Sequence, residues 1–565
     1  MIAGGLLWAA GILLAAGAEG PLALDAPPGV RLTFRGPIGE RIERNIDNWL
    51  LVAPSANPGM LEMFRVRDRK PEPRLVPWAG EFAGKYLISA VEALRLTERE
   101  DLRRQVERFV KDLIATQAED GYLGPFPLRD RLRGNWDLWG HYHVMLGLLL
   151  WHEHSGDTEA FKAVGKAADL ICDIYLDTGR RVIDAGSPEM NMAVIHVLGC
   201  LHRLTGNERW LRMMREIEKD WEAAGDYFRQ GLAGVEFHRT PRPRWESLHD
   251  LQGLVELFRI TGDERYRTAF VNLWRSIARR DRHNTGGFSS GEQAIGHPYS
   301  PAPIETCCTI AWMAITIDML RITGEPAAAD ELELSTWNGM LGAQHPSGRW
   351  WTYSTPMDGV REASAHSIVF QSRAGTPELN CCSVNGPRGL GMLSEWAVMT
   401  APGVIVLNWN DGLRAEVKLP DGLRVTLETL LERTGLETTV EPEREAAFEL
   451  RIRIPAWSER TEVRLSTGER LPSPVAGSYF SISRRWRSGD KVTLRLDRRL
   501  RVVAGDREAA GKVSIYRGPF LLAYDQRLNA FDEDAIPVLD ARALEEMLRP
   551  LRLLEKSVLE PLELV

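Results

Sequence analysis

One short pattern recurs along the first part of this chain and limits what it can fold into. It reads Arg203-Leu-Thr-Gly206-Asn, Arg259-Ile-Thr-Gly262-Asp and Arg321-Ile-Thr-Gly324-Glu, with shorter forms at Arg95-Leu-Thr97 and Ser155-Gly156-Asp157. Each copy closes a helical stretch, and most carry a Gly suited to the left-handed residue just past a helix end. The copies stand 50 to 62 residues apart, which is room for two helices and their loops. Between them apolar residues recur at three and four, as in Phe82, Tyr86, Leu87, Val91 and Leu94, the spacing of a helix with one buried face. Five visible helical hairpins, with a sixth degraded at an end, predict a closed ring of paired helices, an (α/α)6 barrel, over residues 61–400. Such a ring has a funnel at one end, and the helix-poor stretches 282–305 and 344–390 are expected across its mouth.

Beyond about residue 400 the period changes to two. Phe448-Glu-Leu-Arg-Ile-Arg-Ile454, Val492-Thr-Leu-Arg-Leu496 and Val513-Ser-Ile-Tyr516 alternate between apolar and polar, with Gly, Pro, Asp and Ser turns between such runs. These are half-buried antiparallel strands, and they predict a β-sandwich over 401–530. Residues 19–60 read as strands and linker that join the sandwich, and 531–565 as a helical tail. The chain is therefore expected to be mainly α with a β part, in two or more domains, as 565 residues are too many for a single core.

Acidic and basic residues are intermixed at a net charge of −8, and no Lys/Arg stripe is interleaved with aromatics, so nucleic acid is not an expected partner. Residues 2–18 are almost wholly apolar and end in Ala16-Gly-Ala18, which resembles a signal-peptidase site. The expectation is a signal peptide over 1–18, a mature start near Glu19 and export to the periplasm or the exterior. Because no Lys or Arg precedes the apolar run, a retained membrane anchor is the alternative. No later stretch reads as a membrane span.

The chemistry is concentrated in the cysteines. Four of the six stand in adjacent pairs, Cys307-Cys308 and Cys381-Cys382, and Glu305 lies two residues before the first pair. Adjacent cysteines rarely bridge each other, since the ring so formed conflicts with disulfide geometry. A zinc ion takes three sulfurs and one oxygen readily, and Glu305, Cys307, Cys381 and Cys382 would complete a tetrahedral shell. Disulfides between the pairs are the other reading, and Cys172 and Cys200 read as buried residues of helices. Thr285-Gly-Gly-Phe-Ser-Ser-Gly-Glu292 places a further carboxyl in a glycine-rich loop, thirteen residues before Glu305, where it could act as a general acid.

These residues resemble a known family. Glu305-Thr-Cys307, Cys381-Cys382 followed by Asn385 and Arg388, Gly291-Glu292 and Leu450-Arg-Ile-Arg-Ile-Pro-Ala-Trp457 are similar to glycoside hydrolase family 127 and its relative family 146. Arg485-Trp486, Gly489-Asp490 and Arg517-Gly-Pro519 fit the same pattern, so the resemblance spans about 78 to 525. It implies an exo-acting, retaining β-L-arabinofuranosidase acting on oligosaccharides or polysaccharides of plant type. By this resemblance Cys381 is the nucleophile, Glu292 the acid/base, and Glu305, Cys307, Cys381 and Cys382 the zinc shell. His143, His249 and Glu189 are then expected to contact the sugar. The chain departs from the pattern at Cys308, an extra cysteine that leaves two choices of ligand, and at Ser187, where some members carry His. The alternatives are the same scaffold acting on another glycoside, and a non-catalytic glycan-binding toroid with disulfide-bonded cysteines.

Overall fold

The structure is a computed structural model that describes residues 19–289, 291–357, 361, 379–432, 435–469, 471–523 and 540. The expected leader and, Asp540 apart, the expected C-terminal tail lie outside the described residues.

Short turns aside, the helical part runs α1 (Gly36–Asn45), α2 (Glu81–Leu94), α3 (Glu100–Ile114), α4 (Asp137–Ser155), α5 (Thr158–Tyr175), α6 (Val194–Thr205), α7 (Glu208–Ala224), α8 (Ser247–Thr261), α9 (Glu264–Arg280), α10 (Thr306–Thr323), α11 (Pro326–Leu334) and α12 (Cys381–Gly391). The even-numbered helices form an inner ring. α2 packs on α4, α4 on α6, α6 on α8, α8 on α10, α10 on α12, and α12 closes back on α2. Each of α3, α5, α7, α9 and α11 backs the inner helix before it. The sixth hairpin is not contiguous in sequence. α1 and its continuation Ile46–Leu50 lie behind α12, where Trp49 donates to the Ser383 carbonyl at 2.7 Å and Trp351 donates to Asn45 Oδ1 at 3.0 Å.

The recurring pattern is the hinge of each hairpin. Gly156, Gly206, Gly262 and Gly324 end α4, α6, α8 and α10 in the left-handed conformation, at φ of 78°, 69°, 66° and 67°. The next residue caps the outer helix: the side chains of Asp157, Asn207 and Asp263 accept from the first-turn amides of α5, α7 and α9. Two residues thus stop one helix and start the next. One buried face describes the outer helices, as in α3, where Leu102, Val106, Phe109, Val110 and Leu113 are buried. It does not describe α2, whose 14 residues are all buried, including Glu81, Lys85 and Glu92. An inner helix has no solvent face because the outer layer covers its back and the other inner helices its sides. For the same reason α10, apolar enough by composition to cross a membrane, is 89% buried within the ring over its most apolar window.

The strands are β1 (Arg31–Phe34), β2 (Ile304–Glu305), β3 (Ser354–Thr355), β4 (Val398–Ala401), β5 (Val404–Leu407), β6 (Leu413–Lys418), β7 (Arg424–Glu432), β8 (Gly435–Pro442), β9 (Ala446–Ile454), β10 (Glu462–Leu465), β11 (Ser478–Trp486), β12 (Asp490–Arg495), β13 (Leu500–Ala504), β14 (Val513–Arg517) and β15 (Phe520–Leu521). A six-stranded sheet in the order β1-β6-β7-β8-β12-β10 and a four-stranded one, β11-β9-β5-β4, make up the sandwich, with a third sheet β13-β14-β15 beyond. Pairing is antiparallel except for β5 with β9, which run parallel from Val404↔Glu449 to Leu407↔Ile452. The chain leaves β5 for three strands of the other sheet and returns in the same direction, the long crossover that a parallel pair requires.

Candidate active site

The inner helices bring their first turns to one end of the ring. Glu305 precedes α10 in extended conformation at φ −73° and ψ 139°, held there by the β2–β3 ribbon. Asn380 caps α12: its side chain accepts from the Ser383 amide at 3.0 Å, and its own amide donates to Ser383 Oγ at 3.1 Å. That reciprocal cap fixes Cys381 and Cys382 as the opening residues of α12, a helix inside the stretch 344–390 that reads as helix-poor, while Cys307 and Cys308 lie in the first turn of α10, just beyond 282–305.

Four donor atoms from these turns lie within 4.8 Å of one another, those of Glu305, Cys307, Cys381 and Cys382, all buried. Sγ of Cys382 is 3.5 Å from Sγ of Cys307 and 3.8 Å from Sγ of Cys381. Oε1 of Glu305 is 3.7 Å from Cys381 Sγ and 3.5 Å from Cys382 Sγ. A tetrahedral zinc with sulfur at about 2.3 Å and oxygen at about 2.1 Å has S···S edges of about 3.8 Å and S···O edges of about 3.6 Å. The residues therefore fit such an ion in identity and in spacing. A disulfide needs sulfurs at about 2.05 Å, and these are nearly twice as far apart. Cys308 stands outside the set of four, its Sγ 3.7 Å from the other carboxylate oxygen of Glu305. Asn385, one turn into α12, donates Nδ2–H to Cys307 Sγ at 3.4 Å, and Arg388 pairs with buried Glu92 of α2 at 3.3 Å.

Charge is distributed unevenly around this cluster. Burial, then the neighbouring Cys381, pushes the Glu305 carboxyl well above its ordinary range. Burial also raises Cys307, but hydrogen bonds from Cys381 and Cys382 and the charge of Lys85 outweigh it and bring that thiol below its usual value. Lys85 is wholly buried, pairs with Glu81 Oε2 at 2.9 Å, and lies 5.3 Å and 5.1 Å from the ring centres of Trp139 and Trp245. Burial alone would lower its pKa, yet Glu81, Cys307 and Cys381 hold it above the ordinary lysine range, so it stays a cation. His143 stands edge-on to Trp139 at 4.4 Å, neither ring nitrogen is hydrogen-bonded among the described residues, and burial keeps it neutral. His249, 6.0 Å away between ring centres, has Tyr142 Oη at 3.0 Å and Gln252 Oε1 at 2.8 Å from Nδ1.

Glu292 approaches from the loop before α10. It adopts a positive φ of 70°, and its carboxylate accepts from Arg244 at 2.7 Å and from the Tyr353 hydroxyl at 3.4 Å. Tyr353 lies beside the sulfurs: the charge of Cys381, then burial, holds its phenol far above the ordinary value. Arg244 also forks onto Glu246, and Glu189 stands 4.0 Å from Arg244 through Oε1 and 3.9 Å from Arg242 through Oε2. The structure thus gathers the four cluster residues in one shell, ties Glu292 to their rim through Tyr353, and pairs His143 with His249. It sets Glu189 against Arg242 and Arg244 on the Glu292 side. Trp139 and Trp351 are fully buried.

Lys85, Glu81, Arg244 and Glu246 were not singled out from sequence. A Lys and two Glu within the apolar run of α2 were the available signal for the first pair. For Arg244 and Glu246 the sequence shows only a Pro-rich loop, and their meeting with Glu292 is a product of the fold.

The profile described as β-L-arabinofuranosidase, GH127 catalytic domain, matches residues 41–395, and the GH127 middle-domain profile matches 405–498. A solved GH127 β-L-arabinofuranosidase from Geobacillus stearothermophilus T6 is similar at 21% identity with a TM-score of 0.70, covering 87% of this chain and 86% of that one. A second GH127 β-arabinofuranosidase is similar at 18% identity and a TM-score of 0.72, with 89% of this chain and 86% of that one covered. No curated protein matches the sequence.

Proposed function

The chain belongs to glycoside hydrolase family 127, and on that premise we propose that it releases terminal β-L-arabinofuranose with retention, using Cys381 as nucleophile and Glu292 as acid/base. A carbohydrate substrate follows from the family; the sugar, the cysteine chemistry, the zinc and export by the apolar leader are our reading. The observation that carries it is the near-tetrahedral spacing of one carboxylate and three sulfurs at the end of a helical ring.

Zinc bound by Glu305, Cys307, Cys381 and Cys382 would keep the sulfurs deprotonated and shielded from oxidation. The protein's own groups do the rest. Glu292 protonates the glycosidic oxygen as the Cys381 sulfur attacks the anomeric carbon, and the aglycone leaves with that proton. Glu292, now a carboxylate, takes a proton from water, whose oxygen attacks the same carbon and releases the Cys381 sulfur. His143, whose ring nitrogens make no hydrogen bond among the described residues, can bond sugar hydroxyls as donor and acceptor. The depth of the sulfurs, with Cys381 only 6% exposed, supports removal of a chain-end sugar rather than cleavage within a chain.

The test is a panel of nitrophenyl glycosides with the wild type and Glu292→Gln. The β-L-arabinofuranoside should be turned over with retention, and Glu292→Gln should lower kcat/KM on an alkyl arabinofuranoside by about 10²- to 10⁴-fold. Turnover of another glycoside in its place would move the assignment to a different sugar. Full activity of Glu292→Gln would remove Glu292 from the mechanism.

A further inference from the structure

Glu292 occupies a half-buried and strained position for a residue asked to place a proton accurately. Its side chain is 36% accessible, and Ser289, Gly291 and Glu292 all have positive φ, at 66°, 57° and 70°. Left-handed backbone at non-Gly residues persists only where the surroundings enforce it. Here a neighbouring loop does so. Arg244 bridges to Gln293, the Trp245 amide donates to the Glu292 carbonyl at 3.4 Å, and the Ala294 amide donates to the Pro243 carbonyl at 2.8 Å.

The side chain of Arg244 completes this arrangement. Its Nε and Nη2 fork onto Glu246 at 3.0 Å and 2.9 Å, and Nη2 also donates to Glu292 Oε2 at 2.7 Å. Glu246 is 1% exposed, so the fork is anchored in the protein interior. Held by Oε2, Glu292 turns its other oxygen, Oε1, to Tyr353 and so toward the sulfurs.

We propose that Arg244, anchored on Glu246, is the positioning residue that aims Glu292 at the glycosidic oxygen. The inference rests on the assignment of Glu292 as acid/base. Glu246 accepts two of the three Arg244 hydrogen bonds and balances its charge, so that Arg244 gives Glu292 one bond, at Oε2, and leaves Oε1 to face Tyr353. The charged and titratable groups tied to Glu292 are Arg244 and Glu246 from the loop before α8, Tyr353 from the β2–β3 side, and Glu305 from the cluster.

The test compares Arg244→Met and Arg244→Lys with Glu292→Gln, measuring kcat/KM on an alkyl and a 2,4-dinitrophenyl arabinofuranoside. That parameter reports the step in which the aglycone leaves, and only the alkyl aglycone depends strongly on protonation. Arg244→Met should lose about 10²-fold on the alkyl substrate, with a loss at least about tenfold smaller on the dinitrophenyl one. Arg244→Lys should recover part of the alkyl activity, since it restores a cation and one donor. Equal losses on both substrates, or none, in a variant that melts like the wild type would overturn the proposal. If Arg244→Met melts early, Arg244→Lys carries the same comparison. Should Glu292→Gln itself lack the leaving-group dependence, the assignment of Glu292 fails, and the proposal for Arg244 with it.

Discussion

Replacing Cys381 with Ala should lower kcat/KM by at least about 10⁴-fold, the order seen when a catalytic nucleophile is removed. The variant should still fold, because the Asn380–Ser383 cap that starts α12 does not use the cysteine side chain. Glu305, Cys307 and Cys382 would remain, and three protein ligands are the usual complement of an open metal site. Cys381→Ala should therefore retain metal better than it retains activity, as read by metal content per chain alongside turnover. Depth singles out Cys381 as well: it is 6% exposed against 0% for Cys307 and Cys382. Undiminished turnover by Cys381→Ala would remove the nucleophile from the account.

Arg453→Met should cost about 3–5 kcal/mol, the range for breaking a buried ion pair from one side. Arg453 is 0% exposed on β9 and reaches from the sandwich into the helical ring. It pairs with Asp330 and Glu333 of α11, the latter at 2.5 Å, and donates Nε–H to the Asn408 carbonyl at 2.8 Å. Burial alone would lower its pKa, but Glu333 and Asp330 more than offset this and keep the guanidinium charged. Met fills similar volume and leaves two carboxylates facing each other without a cation. Urea unfolding followed by circular dichroism should show the loss, and adding Glu333→Gln should return part of it by removing one stranded charge. An unchanged midpoint for Arg453→Met would mean that the contact between sandwich and ring does not depend on this pair.

The ring was legible because its hinges are local. A Gly that must be left-handed and an Asp or Asn that must cap are requirements of the backbone, and they show at three of the hairpin turns, at Gly156-Asp157, Gly206-Asn207 and Gly262-Asp263. The sixth hairpin was not legible, because α1 and α12 are more than three hundred residues apart and only closure of the ring joins them. The cluster of Glu305, Cys307, Cys381 and Cys382 could be read from sequence, since its two halves are each short motifs. What surrounds it could not. Lys85 contributes its charge from α2, Arg244 comes from a loop before α8, and Tyr353 lies in a stretch that the sequence marks only as helix-poor. Each is an ordinary residue in its own segment and acquires a role only through a neighbour distant in sequence. The parallel pair β5–β9 escaped for a similar reason: alternation marks a strand but does not give its direction.

The central claim is that one carboxylate and three cysteine sulfurs form a zinc site in a working glycosidase. The most direct test is the intact mass of the chain, purified in reductant with zinc present, under native and then denaturing conditions. The account predicts one zinc per chain, lost on denaturation to leave all six cysteines as free thiols. A metal-free chain, lighter by the hydrogens of disulfides among Cys307, Cys308, Cys381 and Cys382, would contradict it.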